Sequence, residues 1–116
     1  MDGNIYYNPQ EFGLTPIAEI DFSSGSYEFD IRIVWKHTSG KFYTARDSGC
    51  SCPSPFEDYG SLDSLERFSF KALQAEIRGE FAGEYSHVNP QEAGTFLDTI
   101  RSAMLDARAE REKAKK

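Results

Sequence analysis

The sequence predicts an α+β domain: a three-stranded antiparallel meander followed by two or three helices packed on one face. Three observations predict it. Residues 26–36 alternate with a period of two, and residues 61–107 carry apolar positions at spacings of three and four. A Gly-, Pro-, Ser- and Cys-rich stretch at 48–60 separates the two patterns. At 116 residues the chain has the size of one domain. That domain is expected over 1–107. Residues 108–116 contain no large apolar side chain, so they read as a charged tail that frays into solvent. With nine Phe and six Tyr, the core must draw much of its volume from aromatic rings.

The first element is short. Asn8-Pro9-Gln10-Glu11 offers an N-cap, a proline for the first helical position and a glutamate that can reach back to the cap. Gly13 follows at once and limits the segment to a single turn. The same tetrapeptide recurs at Asn89-Pro90-Gln91-Glu92, where nothing stops the helix.

Between them the clearest strand is 26–36, with Tyr27, Phe29, Ile31, Ile33 and Trp35 on a core face and mostly polar residues on the other. Flanking strands are expected over 14–22 and 41–47. A two-residue turn at Ser24-Gly25 sets Phe22 opposite Tyr27, Ile20 opposite Phe29 and Ala18 opposite Ile31, all good cross-strand pairs. A second turn centred on Ser39-Gly40 sets Arg32 opposite Asp47, Val34 opposite Ala45 and Trp35 opposite Thr44. It also leaves Arg46 beside Ile33 on the core face, a conflict that a bulge or an early strand end would relieve.

The helical half begins at Ser61-Leu62-Asp63 with a short helix reaching about Phe68. Ser69 caps a second helix with Phe70, Leu73, Ile77 and Phe81 on one stripe, and Gly83 is its stop. Pro90 opens a third, with Ala93, Phe96, Leu97, Ile100, Met104 and Ala107 along one face.

Several function classes are disfavoured. No apolar run approaches the ~20 residues that span a bilayer. Met-Asp-Gly-Asn lacks the basic and apolar regions of a signal peptide, so a cytoplasmic location is expected. Two cysteines do not make a disulfide scaffold, and a net charge of −6 argues against direct nucleic-acid binding through a basic face. There is no nucleophile elbow, Gly-rich phosphate loop or His-Glu-x-x-His helix. No catalytic residue is therefore assigned, and a non-enzymatic role is expected.

Three features could still carry chemistry. On the register above, Asp21 faces Glu28 and Glu19 faces Asp30, which crowds four carboxylates with only Arg32 nearby. Such a face could dock on a basic surface or hold a divalent cation, or it is simply a solvated sheet face. Cys50 and Cys52, one residue apart, could share a zinc ion completed by His37, His87, Asp47 or Asp58, although the second ligand pair of a structural zinc site is missing from the sequence. The alternative for this loop is structural, with the thiols and Phe56 packing beneath stiffening prolines. A hydrolase site around Asp47, Cys50 and Asp58 lacks an evident base. Tyr6 and Tyr7, with Ile5 and Phe12, either wrap back over the core or anchor a partner.

The order Tyr7-Asn8-Pro9, Phe12-Gly13-Leu14, Glu19-Ile20-Asp21, Tyr27-Glu28-Phe29-Asp30, Val34-Trp35 and then Tyr43 to Glu57 resembles small uncharacterised proteins of actinobacterial phages and prophages. The resemblance covers about residues 5–65, and Gly49-Cys50-Ser51-Cys52-Pro53-Ser54-Pro55-Phe56-Glu57 is its most specific part. It implies a phage-encoded accessory protein made inside a bacterial cell. The expected function is binding of a host protein, in one form the inhibition of a nucleic-acid-binding or defence factor. Glu19, Asp21, Glu28 and Asp30 would form the charged surface and Tyr6 and Tyr7 the anchors. The alternative is a small zinc module using Cys50, Cys52 and His37; otherwise no cofactor is expected. The amphipathic last helix could also serve a homodimer.

Overall fold

A computed structural model describes residues 5–23, 28–50, 56, 59, 61–82 and 89–114. A single 3₁₀ turn, Pro9–Phe12, leads into strand β1 (Leu14–Asp21), followed by β2 (Glu28–His37) and β3 (Phe42–Cys50). A second 3₁₀ turn, Leu62–Ser64, precedes a two-residue strand β4 (Glu66–Arg67), and helices α1 (Phe70–Ala82) and α2 (Pro90–Ala114) complete the order. The strands form one antiparallel sheet in the order β1-β2-β3-β4. The α+β class and the meander are thus as the sequence predicts, with a fourth strand added. The short helix expected up to Phe68 is instead one turn and an edge strand: Leu65 is extended at ψ 155°, and Arg67 and Glu66 pair with Tyr43 and Thr44.

Both hairpin registers differ from expectation, and the turns explain why. In the second, His37 N–H donates to Lys41 C=O (2.8 Å), so the loop is three residues, Thr38-Ser39-Gly40, with Gly40 left-handed at φ 93°. A three-residue loop closed by a left-handed glycine is a common hairpin form. It moves β3 by one residue, and a one-residue slip sends every side chain to the other face. Ile33 now faces Ala45, Trp35 faces Tyr43 and Arg32 faces Arg46. The conflict between Arg46 and Ile33 disappears. In the first hairpin, Asp21 pairs with Ile31 and Ile20 with Arg32, a loop longer than two residues. Ser24-Gly25 and Tyr27 lie outside the described residues. A bulge between Pro16 and Ala18 reverses the facing of β1 along its length, so Leu14 and Ile20 serve opposite cores. Pro16 and the bulge also blunt the open β1 edge against further pairing.

The sheet is therefore covered on both faces, and β2 is buried on both. On one face Val34, Ile20 and Phe22 meet Leu73 and Ile77 of α1 and Ala93, Phe96 and Ile100 of α2. On the other, Ile31, Ile33, Trp35 and Ala45 are sealed by Ile5, Leu14 and Phe56, with Leu62 and Leu65 alongside. The face of Ile31, Ile33 and Trp35, expected to be core, is buried under loops and the N-terminal segment, and the helices cover the other face. The half expected to be polar carries fully buried Val34 and nearly buried Arg32.

The capping motifs divide. Asn89 Oδ1 accepts from Gln91 N–H (2.7 Å), and Ser69 Oγ accepts from Ala72 N–H (3.3 Å), as predicted. Asn8 makes no side-chain cap, and the turn after it is held by Glu11 N–H donating to Asn8 C=O. The charged tail does not end the helix at 107. α2 runs to Ala114, tied to the sheet by Lys36–Glu110 (3.1 Å) and within itself by Arg108–Glu112.

Gly13 ends the first turn at φ 74°, and its C=O accepts from Thr38 N–H. A Cβ there would lie 3.0 Å from His37 Nε2. Gly13→Ala is expected to lower stability by about 1–2 kcal/mol in urea unfolding, through left-handed strain and crowding. Gly13→Asn should lose less, because Asn tolerates that backbone region better.

Candidate functional site

The six residues expected to bind a partner separate into two groups. Glu19 and Asp21 stay exposed on β1 and face Ile33 and Ile31, on the Trp35 side of the sheet. Tyr6 joins them, donating its hydroxyl to Glu19 Oε2 (2.7 Å). Burial and this carboxylate both push the Tyr6 phenol well above its ordinary pKa. Tyr7 packs edge-on against Tyr6 (5.1 Å) and is 59% exposed. Glu28 and Asp30 are not opposite these residues. They pair with Cys50 and Ser48, and Asp30 belongs to the helix-covered face, where both its oxygens accept from Arg46 (2.8 Å each). The four-carboxylate face is thus not assembled, as a direct consequence of the longer first loop. Asp21 has a local role as well: its Oδ1 accepts from Ser23 N–H, Ser23 Oγ and Asp30 N–H, fixing the start of that loop.

Of the expected zinc ligands, His37 is not brought near Cys50. His37 ends β2 at the edge opposite Cys50, whose backbone pairs with Glu28. Nine residues of strand separate the two positions, roughly 30 Å. The His37 ring instead meets Ser39, with Nδ1 accepting from its N–H (3.0 Å). Cys52, Asp58 and His87 lie outside the described residues. Among the described residues no group of three or more His, Cys, Asp or Glu side chains could hold a metal ion. Asp47 accepts the Phe56 N–H on Oδ2 (2.7 Å).

Beneath α1 lies a charge cluster that sequence reasoning missed. Arg32 and Arg46 are directly opposed in the sheet, which would repel on an open face. Glu76 resolves this from above. Its Oε1 accepts from Arg32 Nη2 (2.7 Å) and Arg46 Nη1 (3.1 Å), and its Oε2 accepts from Arg32 Nε (2.8 Å). Glu66 takes Arg32 Nη1 and Glu80 takes Arg46 Nη2, each at 2.8 Å, and the Arg46 guanidinium lies over Phe22 at 4.3 Å. Burial alone would raise the Glu76 carboxyl, but the two guanidiniums outweigh it and hold the group below the ordinary carboxylate range. The signal was present: Leu73, Glu76, Ile77 and Glu80 share one helix face, and Arg46 fitted no apolar register. Each of the four carboxylates contacts one or both of the two guanidiniums, so the cluster fastens α1 to the sheet.

A groove beyond the β4 edge of this cluster is open. It measures about 860 Å³ and lies between the start of β3, the 62–68 segment and the second half of α2. Its floor includes Phe42 and Phe68, packed ring against ring at 5.6 Å, and Met104. Leu105 stands on its rim 61% exposed, the larger of the two exposures among big apolar side chains of the described residues. Four basic residues, Lys41, Arg67, Arg101 and Arg108, line it with one acidic residue, Asp63.

The fold and this geometry define a small α+β domain with a twice-covered antiparallel sheet and an open groove beside its last helix. The chain belongs to the family described as Domain of unknown function (DUF7574), whose model matches residues 3–107. No curated protein and no solved structure matches it. Among the described residues no helix is long and apolar enough to cross a membrane.

Proposed function

We propose that the chain is a phage accessory protein that acts by binding a protein of its host cell and performs no catalysis itself. The observation that carries this reading is the open groove with Leu105 on its rim. A large aliphatic side chain is held in water beside a concave surface that includes Phe42, Phe68 and Met104. Tyr7, with Glu19 and Asp21 near it, supplies a second exposed area at the β1 edge. The acidic surface retained in this reading is that smaller one, since Asp30 is engaged by Arg46.

The test is affinity purification of the tagged full chain from an actinobacterial host at low salt, alongside Leu105→Glu and Tyr7→Ala. One host protein in stoichiometric amount is expected with the parent chain and with Tyr7→Ala, and none with Leu105→Glu. Leu105 contributes little to the fold at its exposure, so circular dichroism of that variant should match the parent. Recovery of the same protein with Leu105→Glu moves binding away from the groove. Recovery of no protein by any form overturns the reading.

A further inference from the structure

We propose that the groove takes an acidic amphipathic peptide segment of the partner, seating bulky apolar side chains on its floor and carboxylates against both walls. This rests on the groove being the protein-binding surface. Three observations carry the choice of occupant. The first is sign. The whole chain has 19 acidic and 13 basic residues, yet the groove holds four basic and one acidic. A local inversion against the net charge attracts an acidic ligand that the rest of the surface repels.

The second is spacing. Arg101 and Arg108 are seven residues apart on α2, so they lie on one stripe about 10 Å apart along the axis. Met104 and Leu105 sit between them. Lys41 and Arg67 face them from the sheet side. Charges spread over two walls match a ligand with several carboxylates, whereas one anionic headgroup would satisfy a single point. The third is availability. Lys41 and Arg67 make no ion pair among the described residues. Among the described residues Arg108 pairs with exposed Glu112 at 3.5 Å, and Arg101 rests over the Phe70 ring at 5.3 Å. Pairs of that kind are exchanged for a ligand carboxylate at little cost. The Phe42 and Phe68 rings are packed against each other and the Phe70 ring lies under Arg101, while Leu62, Leu65, Met104 and Leu105 line the groove with aliphatic surface. That favours an apolar-faced peptide over single-stranded nucleic acid.

The experiment is fluorescence anisotropy with the full chain and three labelled helical peptides of one Leu/Ala apolar pattern. Their polar positions are all Glu, all Gln or all Lys, and a labelled dT oligonucleotide is the fourth probe. The Glu peptide is expected to bind about tenfold or more tightly than the Gln peptide, to weaken as salt rises, and to leave the Lys peptide unbound. Lys41→Glu and Arg101→Glu, one on each wall, should each weaken the Glu peptide several-fold while unfolding as the parent does. Equal binding of the Glu and Gln peptides overturns the proposal, as does tighter binding of the oligonucleotide. Failure of the Glu peptide to bind, with the host protein still lost on Leu105→Glu, removes the acidic occupant and leaves the protein-binding reading standing. Failure in both experiments removes both.

Discussion

Replacing Phe56 by Ala is expected to cost about 3–5 kcal/mol of folding stability, enough to unfold much of a domain of this size. Phe56 is fully buried, and its ring closes the Trp35 side of the sheet. It stacks on Tyr6 at 5.5 Å and meets Trp35 and Tyr59 edge-on at 5.8 and 5.2 Å. Removing it takes away its own burial and the partner surface of three other rings, and the sheet below cannot collapse to fill the space. The backbone makes the position more unusual. Phe56 is left-handed at φ 60°, held there by Asp47 accepting its N–H and by Tyr59 N–H donating to its C=O (3.1 Å). A left-handed non-glycine residue costs roughly 1–2 kcal/mol, so ring burial outweighs a standing strain. Phe56→Gly should therefore unfold at the same urea concentration as Phe56→Ala or a higher one, reversing the usual order of these residues. If Ala is clearly the more stable of the two, the strain assignment fails. A loss below 1 kcal/mol for either would show that the ring does not seal this core.

That result bears on how the cysteine loop is understood. Its motif was the most specific stretch of the sequence, and chemistry was one reading of it. Phe56, its aromatic member, is a core residue, and Asp47, just before the motif, is the acceptor that positions it. A local sequence signature can thus mark a demanding packing site as readily as a reactive one.

The parts of the fold that were legible are those fixed by local chemistry. Ser69 and Asn89 cap their helices because a side-chain oxygen within reach of an N–H needs no tertiary context. The strand at 28–37 follows from its period, and the helical stripes at Leu73/Ile77 and Phe96/Ile100 from theirs. What failed was register. Ser39-Gly40 reads equally well as a two-residue turn and as the end of a three-residue loop, because a left-handed glycine suits both; the closing bond from His37 N–H to Lys41 C=O is what separates them. That one-residue difference in loop length decides whether Arg46 faces Ile33 or Arg32. The expected acidic site was lost in the first hairpin by the same rule, because face membership in a sheet is a parity and the longer β1–β2 loop inverts it. The groove was out of reach for a different reason. Lys41, Arg67 and Arg101 come from three elements, and no spacing in the chain links them. A half-buried ion pair also masks itself: Glu76 and Glu80 look like solvent-facing helix residues until the arginines beneath them are placed.

The link between α1 and the sheet can be tested through pH. Glu76→Gln is expected to lower stability by about 2 kcal/mol at neutral pH, less than a fully buried pair would lose, because Arg32 keeps Glu66 and Arg46 keeps Asp30 and Glu80. The carboxyl of Glu76 is held below its ordinary value of 4.5 in the folded chain, since the arginines outweigh the cost of its burial. As pH falls, the unfolded chain takes up the proton first, so protonation favours unfolding. The stabilisation from Glu76 is complete above about pH 4.5 and is lost as pH drops through the lower folded value. The Gln variant has no such group. The gap between the two urea midpoints should therefore stay constant from pH 7 to about 5 and narrow steadily in more acidic solution. A gap that widens in acid would mean that burial wins over the guanidiniums and the carboxyl is raised in the fold. A gap that is absent at pH 7 would mean the cluster contributes no net stability, and that Leu73 and Ile77 alone hold α1 in place.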